Sequence, residues 1–316
     1  MKPAEASTDR FWRRTDVRGD GSDGFGVRDV SHSTPTVSSS STRGLARLPR
    51  APRAAARTSM NNAMSHTVYP SLRDKRVVVT GGGSSIGAAI VESFAYQGAH
   101  VAFLDIAEAE SRALERRLAY RETRPRYYAC DLTDVAAIRA LFPHIREQLG
   151  PIDVLINNAA NDDRHTVEDA TPAYWDERIA VNLRHYFFCA QAVIADMRAA
   201  GGGAIVNLGS VSWHLALPNL AIYQTAKAGI EGLTRGLARD LGGFGIRVNC
   251  VVPGAVRTPR QMKLWHTPEE EARTIEQQCL KVRVEPHDVA AMVLFLSSED
   301  ARVCTAHEYF VDAGWR

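Results

Sequence analysis

The chain has 316 residues, 45% of them hydrophobic, which suits one large domain with a well-filled core. Lys and Arg number 38 against 36 for Asp and Glu, a balance that gives no reason to expect nucleic acid or an acidic membrane as the main partner. Every apolar run stops short of the roughly eighteen residues needed to span a bilayer, and Cys130, Cys189, Cys250, Cys279 and Cys304 lack the spacing of a disulfide framework or a metal site. A soluble, cytoplasmic protein with reduced thiols and a small-molecule ligand is the expectation.

Residues 1–65 are rich in Ser, Arg, Pro and Gly and carry neither helical nor strand periodicity, so a disordered arm is expected there. From Val30 to Met64 there is no acidic residue, but there are five arginines: Arg43, Arg47, Arg50, Arg53 and Arg57. That pattern fits a transit peptide or an anion-binding segment. The plainer reading is an arm with no part in catalysis, with the native product starting at Met60 or Met64.

From Arg76 onward short β-branched runs alternate with longer amphipathic stretches. RVVVT (76–80), HVAFLD (100–105), RYYAC (126–130), IDVLIN (152–157), AIVNLGS (204–210), IRVNCV (246–251) and EYFVD (308–312) read as seven strands. Helices are expected at about 86–98, 107–121, 134–149, 173–199, 221–242 and 286–297. Nearly continuous apolar strands separated by helices predict an α/β domain over 66–316: one doubly wound Rossmann-type parallel sheet covered on both faces. In such sheets ligands bind beyond the carboxyl ends of the strands, so residues that follow a strand are the candidates for function.

The first of these turns is TGGGSSIG, Thr80 to Gly87, between a strand and a helix. Glycine lets the backbone turn sharply and approach a dinucleotide pyrophosphate, whose charge meets the free N–H groups of the helix start. Asp105 ends the second strand, where a carboxylate can accept from ribose hydroxyls and would repel a 2′-phosphate; the other reading is a solvated strand-end acid. Ser84 and Ile106 offer that phosphate no cation, which favours NAD over NADP. Asp131 follows the third strand and suits an adenine amino group, although Asp131 or Asp134 could equally cap the helix beginning near Val135. NNAA, Asn157 to Ala160, follows the fourth strand and lets backbone run beside a cofactor.

Tyr223 and Lys227 in YQTAK lie four apart, on one helix face, so an ammonium can sit near the phenol oxygen. A free phenol titrates near pH 10, and a base working near neutrality needs a shift of roughly three units towards the phenolate. A lysine and an oxidised nicotinamide both supply positive charge, which has the right sign. Ser210, at the end of the fifth strand, can hydrogen-bond the reacting oxygen. Asn182, in VNL, can anchor a water that connects Lys227 to solvent. Alone, a Tyr/Lys pair is usually structural; in order with the glycine turn, Asp105, NNAA, Asn182, Ser210 and PGAVRT (Pro253 to Thr258), it points to an enzyme.

These residues resemble the short-chain dehydrogenase/reductase superfamily from about residue 70 to the end. The resemblance implies a catalytic tetrad of Asn182, Ser210, Tyr223 and Lys227. It also implies a cofactor site of Gly81, Ser84, Ser85, Ile86, Gly87, Asp105, Asp131, Leu132, Asn158, Ala159, Tyr223, Lys227, Pro253, Gly254, Val256 and Thr258. A homotetramer or homodimer built on the helices near 173–199 and 221–242 is implied too. Three departures stand out: Ser85 replaces the middle glycine of TGxxxGxG, Ala160 the last residue of NNAG, and Ala306 the glycine of a TG pair before the last strand. Weaker cofactor binding is the expected consequence.

Substrate contacts are expected from the loops NDDRH (161–165), SVSWH (210–214) and RTPRQ (257–261), whose donors, acceptors and indole suit a polyhydroxylated ligand. Asn161, Ser210, Trp213, His214, Tyr223 and Gln224 are the candidates. NDDRH, YWDERIAVNLRH, GSVSWHL, YQTAKAGIEGLTR, CLKVR and HEYFVDAGWR are similar to the bacterial NAD-dependent D-xylose 1-dehydrogenases, which implies oxidation of a cyclic aldopentose at its anomeric carbon to the lactone, with no metal. Two competing readings are a carbonyl reductase of the 3-oxoacyl carrier-protein reductase type, which more usually carries an arginine in the glycine turn, and a catalytically weak NAD-binding protein.

Overall fold

Seven parallel strands form one sheet in the order β3-β2-β1-β4-β5-β6-β7. They are β1 (Arg76–Thr80), β2 (His100–Asp105), β3 (Arg126–Ala129), β4 (Val154–Asn157), β5 (Gly203–Leu208), β6 (Ile246–Pro253) and β7 (Glu308–Val311). This is a computed structural model, which describes residues 67–265 and 267–315. The expectations for the arm and for Met60 and Met64 lie outside the described residues, which fall within the compact unit Asn61–Arg316. Nine α-helices are described: α1 (Ser85–Tyr96), α2 (Glu108–Arg117), α3 (Val135–Leu149), α4 (Pro172–Ile179), α5 (His185–Ala199), α6 (Ala221–Leu241), α7 (Pro259–Leu264), α8 (Pro268–Gln277) and α9 (Pro286–Ser297).

The sheet is doubly wound because its side chains alternate between two apolar layers. Val77, Val79, Phe103, Ile156 and Val206 pack with Ile90 and Phe94 of α1 and Val289 and Val293 of α9. Val78, Leu104, Leu155, Ile205 and Val248 face the other way, onto Ile138 and Phe142 of α3, Val193 and Met197 of α5, and Leu237 and Leu241 of α6. With both faces covered, each strand can be apolar throughout, which is why the strands read as continuous runs.

Two differences from the sequence expectations matter for the site. The stretch expected as one helix at 173–199 is broken by a π-helical turn, Ala180–Arg184, between α4 and α5. The stretch after β6, expected as loop, holds α7 and α8. Both open on a Thr-Pro pair, with Thr258 and Thr267 accepting from backbone N–H groups at their helix starts. In addition, β4 begins two residues later than IDVLIN suggested; just before it the Asp153 carboxylate accepts from the Arg76 backbone N–H and guanidinium.

Candidate active site

All the strands end on one edge, and a cavity of about 1190 Å³ runs along it. Every candidate cofactor residue lines this cavity, from Gly81, Ser84, Ser85, Ile86 and Gly87 through Asp105, Asp131, Leu132, Asn158 and Ala159 to Pro253, Gly254, Val256 and Thr258. Ser210, Tyr223, Lys227 and Asn161 line it as well.

The glycine turn fits a dinucleotide. Gly81 has φ +64°, and a Cβ there would lie 2.6 Å from Ala159 Cα; one on Gly87 would lie 1.8 Å from the Gly81 carbonyl oxygen. Both positions therefore demand glycine, and the backbone stays bare where a pyrophosphate would lie. Asn158 ties this turn to the end of β4, its side chain donating to the Thr80 and Gly81 carbonyls at 3.1 and 2.9 Å. Asp105 accepts from the Gly83 and Ala107 backbone N–H groups at 2.8 and 2.9 Å, which fixes its carboxylate at the cavity wall. Ile106 beside it is exposed and carries no charge. Of the two acids after β3, Asp134 is the N-cap of α3, whereas Asp131 folds back on Thr133 and faces the cavity. A nicotinamide dinucleotide is thus compatible with the residues present, and it would supply a hydride acceptor.

Two of the three departures from the glycine pattern have a backbone consequence. Ser85 has φ +52° and Ala306 φ +64°, in the left-handed region that favours glycine. Ala160 carries no such strain.

The helix α6 presents Tyr223 and Lys227 to the cavity from successive turns. Lys227 is buried, with Nζ 5.6 Å from the Tyr223 ring centroid. Its amine donates to the Leu208 carbonyl at 2.8 Å and to the Tyr186 hydroxyl at 3.3 Å. Burial lowers the Lys227 pKa to about 8, against raising contributions from Cys250 and Asp162. For Tyr223, burial and then the Asp162 carboxylate push the phenol above its ordinary range, while a hydrogen bond with Ser210 works the other way. Burial thus opposes the phenolate, a cost that the positive charge expected from Lys227 and an oxidised nicotinamide would have to offset.

Asn182 sits in the π-helical turn, fully buried and away from the cavity wall. Its side chain is spent on one residue: it accepts from the Asn161 N–H at 2.8 Å and donates to the Asn161 carbonyl at 3.0 Å. Asn182 thus holds the start of the NDDRH loop.

Trp213, His214 and Gln224 are not brought to the cavity. Trp213 Nε1 lies 2.8 Å and His214 Nε2 3.0 Å from Glu231 Oε1 on α6, and the Gln224 amide donates to the Ser212 and Leu217 carbonyls. All three fasten the turn after β5. The cavity wall on that side is instead Ser212, Leu215, Leu217 and Pro218. Arg260 and Gln261 of the expected RTPRQ loop line the cavity with Trp265, but on a helix, and this segment engages NDDRH directly, which the sequence did not indicate. Arg260 pairs with Asp162 and Asp163, Gln261 donates to Asp162 at 2.6 Å, and Arg164 stacks on Trp265 at 4.3 Å. The Thr-Pro pair at 258–259 was the available signal for that helix.

Among the described residues no helix is long and apolar enough to cross a membrane, and no cluster of His, Cys, Asp or Glu could hold a metal ion.

Residues 81–316 match the family model described as enoyl-(acyl carrier protein) reductase. A D-xylose 1-dehydrogenase of Caulobacter vibrioides is 60% identical over 253 residues, 80% of this chain and 100% of that protein. A probable galactose dehydrogenase of Rhizobium meliloti is 48% identical over 78% of this chain and 96% of its own length. A crystal structure from Sinorhizobium meliloti, put forward as a short-chain alcohol dehydrogenase, superposes with a TM-score of 0.74 at 31% identity, covering 78% of this chain and 98% of that one. With a parallel sheet that ends in a glycine-walled cavity, and with relatives matched over nearly their whole length, the chain belongs to the short-chain dehydrogenase/reductase family.

Proposed function

We propose that this enzyme oxidises a cyclic aldopentose, D-xylose first among them, at its anomeric carbon to the aldonolactone, with NAD as hydride acceptor. The observation that carries this reading is the meeting of Tyr223, Ser210 and Lys227 in the same cavity as Asp105, in a chain 60% identical to a D-xylose 1-dehydrogenase. When bound, NAD supplies the hydride acceptor and a positive charge beside the phenol.

The residues of this chain then have distinct tasks. Ser210 and Tyr223 hold the anomeric hydroxyl, and Tyr223 as phenolate takes its proton as the hydride leaves the same carbon. The Lys227 ammonium favours the phenolate. Asn161, Asp162 and Arg260 border the space left for the sugar with amide, carboxylate and guanidinium groups able to bond ring hydroxyls. Asp105 accepts from the adenosine ribose hydroxyls and disfavours a 2′-phosphate, so NAD is preferred to NADP. The cytoplasm, a domain spanning 66–316 and a homotetramer or homodimer on α4, α5 and α6 remain part of the same reading.

The test is a panel of aldoses with saturating NAD or NADP, following reduced-cofactor absorbance, with Tyr223→Phe as the control. Oxidation of D-xylose with NAD, lost in the variant, is the expected result. A purified enzyme that ignores every aldose but reduces 3-oxoacyl thioesters would replace this reading with the carbonyl reductase one.

A further inference from the structure

Tyr186 is a second tyrosine at the site, behind Lys227 rather than in front of it. It lies on the first turn of α5, fully buried, in a small apolar cluster with Val211, Ile230, Cys250 and Val252. A phenol hydroxyl in such a place is costly unless both its donor and its acceptor capacity are used. Here both are. The hydroxyl donates to the Leu208 carbonyl at 3.1 Å and accepts from Lys227 Nζ at 3.3 Å. The amine closes the triangle by donating to the same Leu208 carbonyl at 2.8 Å.

We propose that Tyr186 is a positioning residue for the reaction: with the Leu208 carbonyl it fixes two of the three N–H bonds of the Lys227 ammonium, so that the third is the one left for the cavity. This rests on the role given to Lys227 above. An ammonium on a four-carbon stem has many rotamers, and two fixed acceptors select one. Because the hydroxyl proton is committed to Leu208, the oxygen can only accept from Lys227, so it favours the charged amine over the neutral one. The other groups facing this amine are few. His185 adjoins from α5, its ring 4.5 Å from that of Tyr186, and is kept neutral by burial; Tyr223 lies on the same helix; the Cys250 thiol on β6 and the Asp162 carboxylate after β4 complete the set. Of these, Asp162 is the charged group, and it also engages Arg260 and Gln261. Tyr186 is thus the side chain dedicated to the amine.

The experiment reads the amine itself. Lysine occurs only at positions 2, 75, 227, 263 and 281, so the apoprotein labelled with 13Cε-lysine gives a short spectrum in which the Lys227 resonance is the one lost in Lys227→Met. In the wild type, where burial lowers the Lys227 pKa to about 8, it is expected to titrate near that pH. In Tyr186→Phe, which keeps the ring and removes only the hydroxyl, it is expected to titrate about one pH unit lower, a tenfold loss of proton affinity. Superimposable Lys227 titrations in the two folded proteins would overturn the proposal. If Tyr186→Phe does not fold, Tyr186→Met carries the same comparison. In parallel, the basic limb of kcat against pH for aldose oxidation should move down with the resonance, an effect that a purely structural hydroxyl would not produce. Should the resonance move while neither protein oxidises any aldose, the substrate reading fails and the positioning role stands.

Discussion

Arg260 Nε lies 3.1 Å from Asp162 Oδ1, and this pair joins the helix over the cavity, α7, to the loop that follows β4. The same guanidinium reaches Asp163, so one side chain closes the segment over the proposed sugar site. The pair is partly exposed, and each such contact contributes at most about 1 kcal/mol. Arg260→Ala is expected to raise KM for the sugar about fivefold with kcat little changed, and high salt should weaken the wild type towards the variant. Unchanged KM at low salt would show that the clasp does not act on substrate.

Trp213 donates to a nearly buried carboxylate, Glu231, and is not part of the cavity wall. Trp213→Phe should cost about 1–3 kcal/mol of stability through the poorly compensated acid, with kcat/KM within about threefold of wild type once the protein is folded. Thermal melting and steady-state kinetics measure the two separately. A large rise in KM with unchanged melting would return the indole to the substrate site.

Ser85 and Ala306 both hold left-handed backbone. Replacing either by glycine relieves strain of about 1–2 kcal/mol and gives back part of it as unfolded-chain entropy. A net gain of about 0.5–1 kcal/mol is expected in denaturant titrations for each. Only Ser85→Gly should also tighten NAD, since only Ser85 lines the cavity. An unchanged dissociation constant would mean that the serine already fits the pyrophosphate.

Tyr223→Phe removes the group proposed to take the proton. A fall in kcat of about 10²–10⁴-fold is expected, with NAD affinity preserved within a few-fold. Retention of more than a tenth of wild-type turnover would show that another group accepts the proton.

His185 is buried, and burial lowers its pKa from 6.5 to about 3. The unfolded chain therefore binds a proton in this window that the folded protein refuses. The stability associated with the neutral ring is present above pH 6.5 and is lost as pH falls from there towards 3. His185→Leu should narrow the loss of stability between pH 7 and 4.5 by about 2–3 kcal/mol. Parallel pH dependences in the two proteins would contradict this.

The sheet was legible because a strand covered on both faces needs apolar residues at every position, as in Val77, Val78 and Val79. That the glycine turn and Asp105 meet at the cavity was legible because Gly81 and Gly87 are forced by close backbone approach and Asp105 by its place at a strand end. Trp213 and His214 were misplaced because adjacency to Ser210 in the chain says nothing about direction: the turn after β5 sends both rings back to Glu231 on α6. The α7 segment was missed because six residues carry too short a pattern for periodicity to register, although Thr258-Pro259 announces its start. Tyr186 was invisible for a different reason. A tyrosine inside an apolar helical run, YFFCA, reads as core until the amine of a residue 41 positions away is seen against its hydroxyl.

The π-helical turn at Ala180–Arg184 sets the phase of everything that follows it in α5. It amounts to one residue more than an α-helix would use, and one residue of α-helix is about 100° of rotation. Deleting a residue there would heal the helix and swing Tyr186 away from Lys227, leaving the sheet and the glycine turn untouched. The orientation of the amine is in that sense written into the winding of a neighbouring helix.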